Sequence, residues 1–221
     1  GKPYSPGSPI DANNRGISIV MQELGVIGSL PAGVNVFLGR TKQFTKNGVV
    51  SLKSLNKAAA EQFEKWDLPK VPLSKLTDGM MIETRKIIEL ARALSVDPRL
   101  LLLDEITQSL SMNNRNKLYE LINKLKAMGR SVIVITHDVE ELIRITDTIT
   151  VLRDGEVVGD VVSAETTPDE IKHMMVGREI SGDYYRADTT PEYADKVVLS
   201  VRDLTVPGEI ENVSFDVHES E

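Results

Sequence analysis

The 221-residue chain contains no cysteine. It can form neither a disulfide framework nor a thiolate metal site, which is typical of a protein from a reducing compartment. Long apolar runs are also absent, because no stretch approaches the roughly 20 apolar residues that a membrane-spanning helix needs. The opening GKPYSPGSP does not have the pattern of a signal peptide. The sequence therefore predicts neither a disulfide-stapled domain nor a membrane-spanning one.

Basic residues are fewer than acidic ones, with 26 Lys and Arg against 33 Asp and Glu, and the net charge is −7 at pH 7. No basic run and no alternation of basic with aromatic residues is present, so nucleic acid is not expected as a partner. The three histidines (His137, His173 and His218) are scattered and do not form a metal-ligand pattern. The content of hydrophobic residues, 41%, predicts an ordinary packed core.

The most informative stretch is RLLLLDEITQSL, residues 99–110, in which four leucines run into Asp104 and Glu105. A continuous apolar run of this length predicts a strand buried on both faces, as in a parallel sheet. Acidic residues at the carboxyl end of such a strand lie at the sheet edge where α/β proteins bind ligands. The stretch therefore predicts a binding site at this edge.

Strand and helix patterns alternate along the chain. ISIVMQ ends at Gln22 and SVIVITH ends at His137, and both predict short apolar strands. TITVLRDGEVVGDVV predicts a hairpin that turns at Asp154-Gly155. Helical periodicity predicts a helix in each of the following segments: the one from Ser51, about 83–95, SMNNRNKLYELINKLKAMG, DVEELIRI and PDEIKHMMVG. Ser111 is the predicted cap of the third, and Asp138 is the predicted cap of the fourth. The alternation predicts a parallel α/β sheet.

The polar residues at the strand ends suit phosphoryl chemistry. An Asp at a strand tip can hold Mg²⁺ through water, and a following Glu can polarise a water for attack on a phosphoryl group. His137 can contact a terminal phosphate, and Gln22 can orient water or metal. Each residue alone has a plainer interpretation: the Asp-Glu pair as the start of a loop, His137 as a structural histidine, and Gln22 as a residue of no special meaning. Four of them at strand ends, in this order, favour the functional interpretation.

Here the sequence resembles a family. LARALSVDPRLLLLDE, the helix after it and VIVITHDVEEL resemble the nucleotide-binding subunit of ABC transporters, and most of all the monosaccharide-importer ATPases, in which two such domains share one polypeptide. GISIVMQELGVIGSLPAGVNVFLGR resembles their Q-loop and the segment after it. TDTITVLRDGEVVG and IKHMMVGREI resemble the end of their first domain, and VVLSVRDLTVPGEIENVSF resembles the opening of their second.

The resemblance implies an α/β fold, a P-loop NTPase-like ABC nucleotide-binding domain that is incomplete and carries a helical subdomain. Residues 1–180 would be a truncated first domain with its helical subdomain at about 24–96. Residues 181–196 would be a linker, and residues 197–221 the start of a second ABC domain. The chain is expected to be a fragment of a longer protein.

The resemblance also implies roles for the strand-end residues. Gln22 takes the Q-loop role, in which it senses the γ-phosphate and helps to hold Mg²⁺ through water. Asp104 is the Walker B carboxylate that holds Mg²⁺ with ATP, Glu105 is the general base, and His137 is the switch histidine. Residues 108–111 occupy the D-loop. The implied cofactors of the intact protein are ATP and Mg²⁺.

Two departures from the family pattern concern the phosphate loop and the residue after the Walker B pair. No GxxxxGK[ST] motif occurs in the 221 residues, and this motif supplies the backbone N–H cradle and the lysine for the phosphates. In the family it lies ahead of the Q-loop. Ile106 stands where the family has proline.

The signature motif is altered as well. Counting back from Ala91 places MMIET, residues 80–84, in its register, with Glu83 where the family has glycine. The closest match by letters is LTDG, four residues earlier, about one helical turn. That match makes three further residues candidates for nucleotide binding: Thr77, Asp78 and Gly79. A carboxylate at the glycine position would repel a γ-phosphate, so the hypothesis is a decayed motif and one weak or silent ATP site.

The predicted function is that of the ATP-hydrolysing, energy-coupling subunit of an ABC sugar importer at the cytoplasmic face of the membrane. Its partners would be permease subunits, a sugar-binding protein and a second ABC domain. Without the phosphate loop, the fragment is expected neither to hydrolyse ATP nor to bind it tightly. Loss of the strand that precedes this loop would leave backbone groups unpaired, so a homodimer or strand exchange is expected.

Three alternatives stay open at this point. The first is a regulatory or interaction module that keeps the ABC scaffold without its phosphate loop. The second is a non-transport ABC ATPase, which the net acidity of the chain disfavours. The third is a receiver-type phosphoacceptor domain, which would need a lysine at a later strand tip where the sequence has none.

Overall fold

A computed structural model describes residues 4–176, 194–206 and 210–219. The chain divides into two compact units, Gly1–Met175 and Val176–Glu221. None of the helices that the structure describes is long and apolar enough to cross a membrane.

The helices and strands follow one another in the predicted alternation. The helices are α1 (Pro9–Asn14), α2 (Ala32–Val36), α3 (Leu52–Lys65), α4 (Ile82–Leu94), α5 (Met112–Ala127), α6 (Val139–Ile145) and α7 (Pro168–Val176). The strands are β1 (Ile17–Val20), β2 (Thr45–Lys46), β3 (Val49–Val50), β4 (Leu100–Asp104), β5 (Ser131–Ile135), β6 (Thr148–Arg153), β7 (Glu156–Val162), β8 (Val197–Val206) and β9 (Ile210–His218). Three short 3₁₀ turns lie at Thr41–Phe44, Ile106–Ser109 and Ser163–Glu165.

The sheet that positions the strand tips has the order β1-β4-β5, and both pairings are parallel. Val20 of β1 lies opposite Leu103 of β4, and Asp104 lies opposite Ile135 of β5. Leu101 and Leu103 are buried, as the continuous leucine run predicts. The prediction of a parallel α/β sheet is confirmed, and the carboxyl ends of all three strands lie at one edge.

Helix α5 covers the sheet with the apolar stripe that its periodicity predicts. Its buried residues are Leu118, Leu121, Ile122 and Leu125. Ser111 occupies the N-cap position as predicted, but its side chain makes no capping hydrogen bond, so its predicted capping role is wrong. The carboxylate of Glu83 accepts the Ser111 N–H at 2.7 Å instead. For α6 the prediction is confirmed, because Asp138 accepts the Glu141 N–H at 3.0 Å.

Helix α3 belongs to the segment expected to be the helical subdomain. Leu55, Phe63 and Trp66, at its buried face and end, lie in the main hydrophobic core. Leu52, the first residue of the helix, is 51% exposed. The apolar face of α3 is therefore part of the core from Leu55 onward.

A tight hairpin joins β6 to β7, and its turn is Asp154-Gly155 as predicted. Both residues have positive φ, +54° and +83°. This is the geometry that a two-residue turn of primed type requires, and it suits Asp-Gly because both residues tolerate the left-handed region.

A cavity of about 750 Å³ separates β5 from β6. On its far sides β5 pairs with β4 and β6 pairs with β7, while residues along the whole of β5 and most of β6 line the cavity between them. Side chains from three helices complete its walls, among them Ile122, Leu142 and Ile171. Ile133 and Ile135 of β5 are left about half exposed. The sheet therefore has an open slot, bordered by strands on two sides.

In the second unit, β8 and β9 pair antiparallel with each other. The two predicted strands after Val197 are confirmed as strands, and their assignment to a second ABC domain stays a prediction. The predicted linker, 181–196, lies outside the described residues except for its last three.

Candidate functional site

The site begins where β4 ends. Glu105 follows Asp104 and adopts a left-handed backbone conformation, with φ +46° and ψ +29°. This conformation costs a non-glycine residue roughly 1–2 kcal/mol. The Glu105 N–H donates to Ile135 O at 2.9 Å, which ties the end of β4 to the end of β5 and holds the turn in place. Strain of this kind, supported by neighbouring structure, is common where a side chain is aimed for function.

Two of the strand-end residues, Gln22 and His137, each contact a third, Glu105. The Gln22 Nε2 amide donates to Glu105 Oε2 at 2.6 Å, although the two residues are 83 positions apart. His137 Nδ1 lies 3.3 Å from Glu105 Oε1. The side chain of Glu105 is 23% exposed and that of His137 is 66% exposed. The three side chains form an open cluster at one edge of the sheet, with the carboxylate at its centre.

Asp104 is the last residue of β4 and is half-buried beside this cluster. Within the described residues its carboxylate has no hydrogen bond or ion pair to the protein, whereas Glu105 has several. A carboxylate without a protein partner at a sheet edge is free to accept water or a metal ion. In the part of the chain that the structure describes, no group of three or more His, Asp and Glu residues could hold a metal ion.

Those donors fit Mg²⁺ bound together with a nucleotide better than Mg²⁺ held in an all-protein cage. Mg²⁺ usually keeps several waters and binds through one or two carboxylates plus substrate phosphates. Asp104 could offer one carboxylate, and the Gln22 side chain, whose Nε2 contacts the next residue, Glu105, carries a neutral amide oxygen.

Gln108 also reaches the cluster. Its Nε2 donates to Glu105 Oε2 at 3.1 Å and lies 3.3 Å from His137 Nδ1. The sequence places Gln108 in the D-loop but predicts no contact with the cluster. The contact could not be predicted because the 3₁₀ turn Ile106–Ser109, which brings Gln108 back toward Glu105, has no distinctive sequence pattern.

A hydrogen-bond network of Thr107, Tyr119 and Glu141 supports the 3₁₀ turn Ile106–Ser109. The Thr107 hydroxyl donates to Glu141 Oε2 at 2.8 Å, and the Tyr119 hydroxyl donates to Glu141 Oε1 at 2.7 Å. Burial, together with the hydrogen bond to Glu141, raises the pKa of Tyr119 to about 12. The network joins the turn after Glu105 to α5 and to α6, the helix that follows His137. It therefore fixes the two segments that carry Glu105 and His137 relative to each other.

The candidate signature residues lie before α4. Thr77 is fully buried and its hydroxyl donates to Ile27 O at 2.9 Å. The side chain of Asp78 is 83% exposed, and Gly79 has φ +78°. Within the described residues, no hydrogen bond of these three reaches Glu105 or its partners. Their role in nucleotide binding stays a prediction.

The alternative register, residues 80–84, spans the start of α4. Its Glu83 accepts hydrogen bonds from the Ser111 N–H at 2.7 Å and from Asn114 Nδ2 at 2.6 Å. These bonds from Ser111 and Asn114 lower the pKa of Glu83 below its usual range. The carboxylate is thus tied to the first turn of α5. Whether it also weakens a nucleotide site stays a prediction.

With its parallel sheet and the acidic pair after its leucine strand, the chain has the fold of the nucleotide-binding domain of the ATP-binding cassette class, a P-loop NTPase fold. Solved structures agree with this. The chain resembles the ATP-binding cassette MJ0796, solved as a dimer in a post-hydrolysis state with ADP and phosphate, with a TM-score of 0.58 and 27% identity over 70% of this chain and 66% of that one. No family model matches the sequence.

Within that class, the chain is a homologue of the ribose and galactose import ATP-binding proteins. It is 35% identical over 211 residues to the ribose import ATP-binding protein RbsA of Bacillus cereus, a match that covers 96% of this chain and 42% of the relative. It is 35% identical over 214 residues to the galactose/methyl galactoside import ATP-binding protein MglA 1 of Photobacterium profundum, again covering 96% of this chain and 42% of the relative. The chain thus spans less than half the length of these curated relatives.

Proposed function

We propose that this chain is part of the ATP-hydrolysing, energy-coupling subunit of a monosaccharide importer. The observation that carries the proposal is the contact of Gln22 and His137 with Glu105 at the carboxyl edge of the parallel sheet. A carboxylate in this place, with an amide and an imidazole beside it, suits the activation of a water next to a phosphoryl group.

Each residue of the cluster has a distinct task in this proposal. Glu105 accepts the proton of the attacking water, and its left-handed backbone conformation aims the carboxylate into the site. His137 is exposed enough to contact a terminal phosphate. Asp104 and Gln22 would hold Mg²⁺ through water, and the ion, when bound, supplies charge neutralisation for the phosphates.

The second part of the proposal is that these 221 residues alone neither hydrolyse ATP nor bind it tightly. The phosphate loop, which provides most of the N–H donors to the phosphates, is absent from the sequence. The slot between β5 and β6 supports this part, since it lies where the sheet lacks a neighbour for both strands. A strand leading into a phosphate loop would fit there and would place the loop beside Asp104 and His137.

The proposed partners follow from the relatives and from one exposed surface. The segment around Gln22 exposes three large apolar side chains: Met21, Leu24 and Ile27 are 57%, 37% and 43% exposed. Apolar groups exposed together next to a functional residue mark an interaction surface. We assign this surface to a membrane-spanning permease subunit at the cytoplasmic face of the membrane, with a sugar-binding protein and a second ABC domain completing the importer.

Calorimetry tests the proposal. Mg·ATP titrated into the 221-residue chain is expected to show no binding tighter than about 1 mM, a standard free energy of about −4 kcal/mol. Submillimolar binding that Asp104→Ala abolishes, and that the matched variant Asp169→Ala in the first turn of α7 leaves intact, would contradict the proposed need for the phosphate loop.

A further inference from the structure

Helix α4 carries a charged side chain where its buried face meets the segment around Gln22. Lys86 is 1% exposed, and its Nζ has three hydrogen-bond acceptors. It donates to Met21 O at 2.5 Å, to Glu23 O at 3.1 Å and to Glu89 Oε2 at 2.8 Å. All three N–H donors of the ammonium group are thereby used. The two backbone acceptors are the carbonyls on either side of Gln22.

Two more side chains of the same helix hold the next residues of that segment. Glu89, 6% exposed, accepts the Gly25 N–H with its Oε1. Arg92 Nη1 donates to Gly25 O at 2.9 Å, and Arg92 Nε donates to Asn35 O at 2.7 Å. The three side chains are spaced three residues apart along α4, so each neighbours the next on one side of the helix. We call Lys86, Glu89 and Arg92 the clamp.

Burying the charged side chains of the clamp adds little to the stability of the fold. A buried ion pair gains little net stability, because desolvation of both charges offsets their attraction, and apolar residues of similar volume often do as well. What the clamp adds is orientation: besides the bond between Lys86 and Glu89, its side chains bond to particular backbone atoms of Met21, Glu23, Gly25 and Asn35. In the described part of the chain the segment of residues 21–35 has no strand pairing after Val20 apart from one isolated bridge at Pro31. Hydrogen bonds of Asn35 and Thr77 hold its later part, from Ile27 onward, whereas the clamp holds the part next to Gln22.

We propose that Lys86, Glu89 and Arg92 are positioning residues that fix the backbone on both sides of Gln22 and so aim its amide at Glu105. The inference deepens the proposed function, on which it rests, by naming what orients the Q-loop residue. Lys86 has the leading part, because it holds the carbonyls of both neighbours of Gln22. Glu89 fixes the ammonium group and, together with Arg92, fixes Gly25.

The test is nuclear magnetic resonance of the 221-residue chain with the variant Lys86→Met, which keeps the aliphatic stem and removes the charge. The side-chain amide signals of Gln22 are expected to move to the positions they take in Glu105→Ala, where the acceptor is gone. Backbone exchange at Gly25, whose N–H is bonded to Glu89, is expected to rise by about tenfold or more, since local opening becomes easier. The amides of β5 should keep their protection.

The matched control is Lys65→Met, the same change on α3 at a half-exposed lysine whose partner is Asp97. It is expected to leave the Gln22 signals unchanged. Unchanged Gln22 signals in folded Lys86→Met would overturn the proposal. So would equally faster exchange throughout α4 and β5, because that result would mean a general loss of stability.

If Lys86→Met does not fold, the variant Arg92→Lys tests the proposal by the same measurements. A lysine is a single point charge and cannot donate to Gly25 and Asn35 as the planar guanidinium does. Faster exchange at Gly25, with a shift of the Gln22 signals in the same direction, supports the clamp, and no change rejects it. These signals are independent of catalysis. A clamp variant that moves Gln22 but leaves ATP hydrolysis of a longer, active protein unchanged would keep the clamp and refute the proposed role of Gln22.

Discussion

At the scale of single residues, the site depends on one residue in an unfavourable conformation. Glu105 is left-handed, yet its N–H bonds to the end of β5 and its carboxylate gathers Gln22, Gln108 and His137. The strand-tip positions of Gln22 and His137 could be predicted from their apolar strands alone. The contact of Gln108 with Glu105 could not be predicted, because it depends on the backbone conformation of Glu105, which no local sequence pattern indicates.

Asp97 offers a prediction at the same scale. Its carboxylate accepts hydrogen bonds from Arg130 Nη2 and Lys65 Nζ, both at 2.9 Å. Arg130 first, and then Lys65, lower the pKa of Asp97 from 3.8 to about 2. Since the folded-state pKa is the lower one, the stabilisation is complete above about pH 4 and is lost as the pH falls toward 2. The side chain of Asp97 is 53% exposed, so screening by solvent limits its contribution to the free energy of unfolding to under about 1 kcal/mol.

Asp97→Asn should therefore lower the free energy of unfolding by about 0.5–1 kcal/mol at pH 7, and the difference should shrink below pH 4. Urea denaturation between pH 7 and pH 3 measures it. Asp67→Asn is the control, because Asp67 has the same left-handed conformation, φ +52° against +55°, and no side-chain partner in the described residues. A pH-independent difference for Asp97→Asn would contradict the assignment.

At the scale of elements, the contact between α4 and α5 replaces an expected cap. The sequence predicts Ser111 as the capping residue of α5, and the structure supplies the carboxylate of Glu83 to the Ser111 N–H instead. A capping acceptor from another helix cannot be recognised in the local sequence, because the two residues are 28 positions apart. The clamp could not be predicted from the sequence for the same reason. Lys86 and Glu89 fit a helical pattern, but only the tertiary fold shows that they are buried.

Glu83→Ala should accordingly destabilise the chain by about 1 kcal/mol, the typical loss on removing a helix cap. The pKa of Glu83 is lowered by Ser111 and Asn114, so the effect should be full at neutral pH and fade as the pH falls below about 4.5. Thermal or urea unfolding, with Glu64→Ala on the exposed face of α3 as the matched control, gives the comparison. An equal effect of the two variants would show that the link between α4 and α5 adds nothing.

At the scale of the whole molecule, the main feature is the open slot between β5 and β6. The family resemblance predicts that a strand and its phosphate loop are missing, and the structure places an open slot between β5 and β6. The position of the slot could not be read from the chain, since strand order depends on how the crossovers pack. The expected strand exchange between copies stays a prediction.

The most direct test supplies this chain with a phosphate loop. A strand followed by a GxxxxGK[ST] loop, grafted ahead of residue 1, should fill the slot and yield Mg²⁺-dependent ATP hydrolysis. The substitution Glu105→Gln in that graft should lower the rate by about 10²–10⁴-fold, the usual contribution of a general base. A folded graft that hydrolyses ATP equally fast with and without this substitution would contradict the assignment of the strand-tip cluster as the hydrolytic site.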